Sequence, residues 1–135
     1  WDIDPQDGSL SNEQTLELDY LQEGDRSRGI IGFVFDPTDP NTIWISDNYP
    51  IPRENKAFDT PEFSGRVSKI TLGQNGSFTG ATAETYITGL PRSGGDHVTN
   101  SLEFRANPDA GQAGEPAYLL YLSQGSNSAA QCLRS

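Results

Sequence analysis

A chain of 135 residues with 33% hydrophobic residues, 14 glycines and 9 prolines is long enough for one cored domain, and its composition suits short strands joined by many turns. Nine basic residues against 19 acidic ones give a formal charge of −10, which argues against nucleic acid or an anionic membrane surface as a partner. Cys132 is the only cysteine, which excludes an internal disulfide and a structural zinc site, and no apolar run is long enough to cross a bilayer. The start at Trp1 and the absence of methionine are expected of a processed or excised piece.

Residues 1–13 read as a polar N-terminal arm. Asp2, Asp4 and Asp7 have a spacing that invites calcium, but the twelve-residue EF-hand pattern is not present, and a solvated arm is the simpler expectation. From Gln14 to Leu21 the residues Leu16, Leu18 and Tyr20 alternate with acidic ones, which predicts a half-buried strand. Gly29-Ile30-Ile31-Gly32-Phe33-Val34-Phe35 is a near-continuous apolar run and predicts a strand buried on both faces. Asp36-Pro37-Thr38-Asp39-Pro40-Asn41 is a turn by its chemistry, and Thr42–Ser46 returns antiparallel to the run before it.

Asp47 to Phe63 predicts a long irregular loop, with Pro50, Pro52 and Pro61 suppressing regular pairing. Arg66 to Leu72 alternates as a strand. Asn75-Gly76 then signals a hairpin turn, in a triplet that also matches a glycosylation acceptor. Glu84–Thr88 is the next strand, closed by Gly89-Leu90-Pro91. Trp44, Phe33, Phe35, Tyr121 and Phe104 fall at inward strand positions and are expected in the core.

The pattern then restarts. Gly24-Asp25 before a run ending at Phe35 is echoed by Gly95-Asp96 before a run ending at Phe104, with the two phenylalanines 69 residues apart. Each run is followed by a turn and a second strand, Thr42–Ser46 in one case and Tyr118–Ser123 in the other. Self-similarity at this period, with about four strands per unit, predicts an all-β chain of antiparallel β-propeller blades. On this division residues 14–135 form a partial propeller: 14–21 the outer strand of one blade, 30–88 one full blade and 98–123 the start of the next. About two blades cannot close a ring that needs at least four, so remaining propeller blades or further chains are expected partners.

His97, the only histidine, stands at the mouth of a predicted strand. It is a candidate proton-transfer residue, with a hydrogen bond to a neighbouring loop as the simpler alternative. Arg28 stands at the matching point of the first unit and either projects into the same channel mouth or forms a salt bridge, for instance with Asp25. Asp47 and Asn48, with Glu54, Asp59 and Glu62, supply hard oxygen donors for a calcium ion or else line a solvated acidic loop.

Two stretches resemble a family. Arg28-Gly29-Ile30-Ile31-Gly32-Phe33-Val34-Phe35-Asp36-Pro37 is similar to the R-G-L-L-G-x-A-F-x-P signature of the glucose/sorbosone dehydrogenase family. His97 to Phe104, followed by Leu120 to Asn127, resembles that family's H-x-x-x-x-L-x-F…L-Y-x-x-x-G pattern. The resemblance covers most of residues 26–127. It implies a six-bladed propeller, secreted or periplasmic, that oxidises a sugar or alcohol hydroxyl by hydride transfer to PQQ with calcium assisting. His97 would be the general base, with Arg28, Gln124 and Asn127 as candidate cofactor-binding residues and Asp47 and Asn48 as candidate metal ligands. The turn Ser123-Gln124-Gly125-Ser126-Asn127 departs from the enzymatic members, since it lacks the carboxylate that would orient the histidine. Asp96 is a poor substitute, because neighbouring side chains on an extended segment point opposite ways. Two rival expectations are a non-catalytic propeller that binds a protein or glycan, and a calcium-dependent lactonase-like hydrolase using Asp47, Asn48 and Asn127.

Overall fold

The computed structural model describes residues 1–16, 18–24, 26–50, 61, 63–91 and 98–125. The fold is all-β and antiparallel, and among the described residues no sheet closes on itself. Strands β1 (Asp2–Ile3) and β2 (Leu10–Ser11) make a small exposed hairpin in the N-terminal arm, and β3 (Gln22–Glu23) pairs with β4 (Arg26–Ser27). The main sheet is a four-stranded meander in the order β5 (Gly29–Phe35), β6 (Thr42–Asn48), β7 (Gly65–Thr71) and β8 (Thr82–Leu90). A separate pair, β9 (Thr99–Ala106) and β10 (Tyr118–Gln124), follows it. Among the described residues no helix is long and apolar enough to cross a membrane.

The turns form for the reasons their residue types suggest. Asp36 accepts the Thr38 backbone N–H at 2.9 Å and Asp39 accepts that of Asn41 at 3.0 Å, so each aspartate fastens its own turn. Between β7 and β8, Asn75 and Gly76 take φ values of 56° and 73°, a left-handed pair that asparagine and glycine tolerate.

Strand periodicity divides the interior in two. Along β6, Ile43, Ile45 and Asp47 point to one face, and Trp44, Ser46 and Asn48 point to the other. On the first face Ile43, Ile45, Ile70 and Leu72 pack with Leu18 and Leu21. On the second, Trp44 and Val67 pack with Leu102, joined by Phe104, Leu120 and Leu122. Ile45 and Ile70 are almost wholly enclosed, and each such burial contributes about 1.5–3 kcal/mol. The β9–β10 pair thus lies face-on against the second face, mainly over β5 and β6.

Four expectations are corrected. Residues 14–21 form no outer strand: the described residues there pair with no neighbour and end in a 3-10 turn at Asp19–Leu21. That turn brings Leu18 and Leu21, three apart, down on the same core, while the Tyr20 hydroxyl bonds Ser68 and Thr85. The apolar run of β5 is not buried on both faces, because β5 is an edge strand with Phe33 64% and Phe35 53% exposed. Tyr121 likewise stands outside, while Trp44 is buried. Lastly, Asp47 and Asn48 open no loop: β6 runs through both, pairing them with Ile30 and Gly29.

Candidate functional site

Antiparallel order brings the starts of β5, β7 and β9 and the ends of β6, β8 and β10 to one end of the two sheets. Four of the residues singled out by sequence meet there. Asp47, with no solvent exposure, accepts on Oδ1 from Arg28 Nε and, at 3.0 Å, from Arg66 Nε. The rest of the Arg28 guanidinium donates to Glu23 Oε2 at 3.0 Å and to the Ser64 carbonyl oxygen. Arg66 lies over the Tyr20 ring at 4.2 Å. Removing a carboxylate from water costs several kcal/mol, and two flanking guanidiniums offset that cost. Asp47 Oδ2 and Ser64 Oγ remain buried without a partner.

On the opposite face Asn48 joins the two sheets. Its Nδ2 donates to the Thr99 carbonyl at 3.0 Å, and its Oδ1 accepts the Thr99 backbone N–H at 3.2 Å. The Thr99 hydroxyl donates to Gln124 Oε1 at 2.9 Å, and Gln124 Nε2 donates to the carbonyls of Pro91 and Gly125 at 2.7 and 3.2 Å. Gly65 lies so close that a Cβ there would overlap Thr99 Oγ1, and a Cβ on Gly32 would stand 2.7 Å from the Asn100 carbonyl. Next to it, Ser46 Oγ donates to that same carbonyl. Glycine and serine at these points let the sheets approach.

Arg28, Asp47, Asn48 and Gln124 are therefore brought to one rim, in two separate networks on the two faces. Arg28 pairs with Asp47 and Glu23, while Asp25 lies outside the described residues. His97 and Asn127 also lie outside them, as do Glu54, Asp59, Glu62 and Cys132. The nearest described residues, Val98 and Gly125, are joined by a Gly125 N–H to Val98 carbonyl bond of 3.2 Å. Sequence reasoning passed over Arg66 and Thr99. The signal for Arg66 was a basic residue opening the strand after an acid that closes its neighbour; for Thr99 none was available.

These side chains do not fit calcium, which takes six to eight oxygens. Asp47 faces two cations and Asn48 Oδ1 is occupied by a backbone N–H. No group of three or more His, Cys, Asp or Glu able to hold a metal occurs among the described residues. Nor do the described candidates fit PQQ, because Arg28 is buried with all three guanidinium nitrogens engaged and Gln124 uses both ends of its amide. What the arrangement does chemically is brace the rim, spending its polar side chains on one another and on the backbone. No family model matches the chain, and no curated protein or solved structure matches it.

Proposed function

We propose that this chain forms two neighbouring blades of a β-propeller resembling the glucose/sorbosone dehydrogenases, secreted or periplasmic and completed by remaining propeller blades or further chains. Its braced rim is the face that takes a small sugar or alcohol. The observation carrying this reading is the junction between the sheets: β9 lies flat across β5 and β6, fastened by the Asn48–Thr99 exchange at the loop-bearing end. Neighbouring blades around an axis pack face to face in that way, with the connections that carry function at one end. His97 follows as the general base for a bound hydroxyl, since its unperturbed pKa is suited to proton transfer near neutrality. On the resemblance, PQQ would be the hydride acceptor of that chemistry. Any contact to it must come from residues other than Arg28 and Gln124, whose polar atoms are already engaged.

A second reading, a non-catalytic propeller binding a protein or glycan, is favoured by one observation. Arg28, Asn48 and Gln124 spend their polar atoms inside the framework, and Asp47 is wholly buried with its Oδ1 taken by two arginines. The two separate on one assay, in which the protein is incubated with PQQ, with and without calcium, and sugar-dependent dye reduction is measured. Reduction that is lost in His97→Ala, with an unchanged unfolding midpoint, supports the oxidoreductase. Absence of reduction across a panel of sugars and alcohols leaves the binding module.

A further inference from the structure

We infer that the exposed face of β5 docks a second copy of this chain, which offers the outer face of its own β9–β10 pair. The inference rests on the stacked-blade reading above and gives the further chains an identity. The 69-residue repeat makes Leu102 and Phe104 the counterparts of Phe33 and Phe35. In the second unit these positions clamp β9 to the neighbouring sheet: Leu102 is buried, and the Phe104 ring stands edge-on to Trp44 at 6.1 Å. In the first unit the same two positions share rungs with Ile45 and Ile43, on the face where Leu16, Leu18, Tyr20 and Leu21 pack against the buried Ile43, Ile45 and Ile70. Phe33 and Phe35 remain largely exposed there, stacked edge to face on each other at 6.4 Å. Two adjacent exposed phenylalanines on an edge strand are a costly surface to leave to water.

The receiving surface repeats as well. β9 lands on Trp44 and Ser46 of β6, and Trp44 pairs with Val34. Val34 repeats as Glu103, whose ladder partner is Tyr121, so Tyr121 holds the position of Trp44 in the second unit and Ser123 that of Ser46. Tyr121 is 49% exposed, with Arg105 over its ring at 5.5 Å, and offers an aromatic platform for Phe35 as Trp44 does for Phe104. Ser101 replaces Gly32 at the point of closest approach, so the copy seats further out than β9 does here. The contact is head to tail, with β5 of one molecule on β10 of the next, and it propagates into a ring or an open stack.

Sedimentation velocity over a wide concentration range tests this. It is run at physiological ionic strength, so that the charge of −10 is screened over about 8 Å. Species larger than a monomer are expected for the native chain. Phe33→Ser/Phe35→Ser and Tyr121→Ser should each sediment as monomers, with unfolding midpoints in dilute solution close to that of the native monomer because the altered side chains are exposed. An equal mixture of the two variants should restore one joint and sediment as a dimer, since each keeps one intact face. A monomeric native chain overturns the inference, and does so without touching the dye-reduction assay. Disruption by the β5 variant alone also overturns it, in favour of β5 pairing with itself. So does a mixture that remains monomeric.

Discussion

β5 and β6 are neighbours in one sheet with opposite fates. β5, Gly-Ile-Ile-Gly-Phe-Val-Phe, is the more apolar, yet most of it faces solvent. β6, Thr-Ile-Trp-Ile-Ser-Asp-Asn, carries four polar residues and is buried throughout. Location in the sheet decides the difference: β6 is central with both faces covered, while β5 is the edge. A central strand tolerates polar side chains when each has a named partner. Ser46 has Asn100, Asp47 has two arginines, and Asn48 has Thr99.

That contrast breaks most sharply at Asp47. Replacing it by leucine leaves Arg28 and Arg66 without their shared acceptor, and removing one partner of a buried ion pair costs about 3–5 kcal/mol. Denaturant unfolding should show the midpoint falling with little change in slope. A loss within the error of the extrapolation would mean that the guanidiniums find water instead. Asn48→Ala comes next. It strips the Thr99 N–H and carbonyl of their side-chain partner at the junction between the sheets, for about 1–3 kcal/mol. Its signature is local, since amide exchange should accelerate in β9 and β10 more than in β7 and β8. Uniform acceleration would show that the junction has no separate stability.

Much of this was legible beforehand. Alternation and turn chemistry place β6, β7, β9 and β10 within about two residues of their observed bounds, because each strand is flanked by residues that act locally: Asp36 and Asp39 on one side, Asn75-Gly76 on another. What failed was non-local. Leu16, Leu18 and Tyr20 alternate as a strand would, but the stretch finds no edge to pair with, and the 3-10 turn buries Leu21 as well. Hydropathy assigned β5 to the interior without knowing which strand would be the edge. At the rim, a salt bridge was one of two alternatives for Arg28, with Asp25 as the example; the partner it has, Asp47, lies 19 residues away and depends on the register of β5 against β6, which no single stretch encodes.

A smaller effect sharpens the comparison at the turn where the edge strand passes into its neighbour. Burial of Asp36 works to raise its carboxyl pKa. Hydrogen bonds from the Thr38 hydroxyl, the Trp44 indole and the backbone N–H groups of Thr38 and Asp39 outweigh it and hold the carboxyl below its ordinary value. A depressed folded-state pKa contributes stability that is present above the unfolded value, about 3.9, and is lost as pH falls through the folded one. Unfolding midpoints measured down a pH series should therefore fall more steeply below about pH 4 for the native chain than for Asp36→Asn. Parallel curves would remove Asp36 from the acid response.

The smallest effect is the most diagnostic. Phe33 and Ile45 occupy the same rung of the sheet and point to the same face, so substitution at either tests one location at two depths. Ile45 is 2% exposed, and Ile45→Ala should cost about 2–5 kcal/mol through lost transfer energy and the cavity left behind. Phe33 loses little contact when truncated, so Phe33→Ala should change the stability of the dilute, monomeric chain by no more than about 0.5 kcal/mol, despite removing the larger side chain. Repeating the pair of measurements at high protein concentration separates folding from docking. Where a second molecule covers β5, the cost of Phe33→Ala rises with concentration by mass action while that of Ile45→Ala stays level. A concentration-independent Phe33 value makes β5 a tolerated exposed edge.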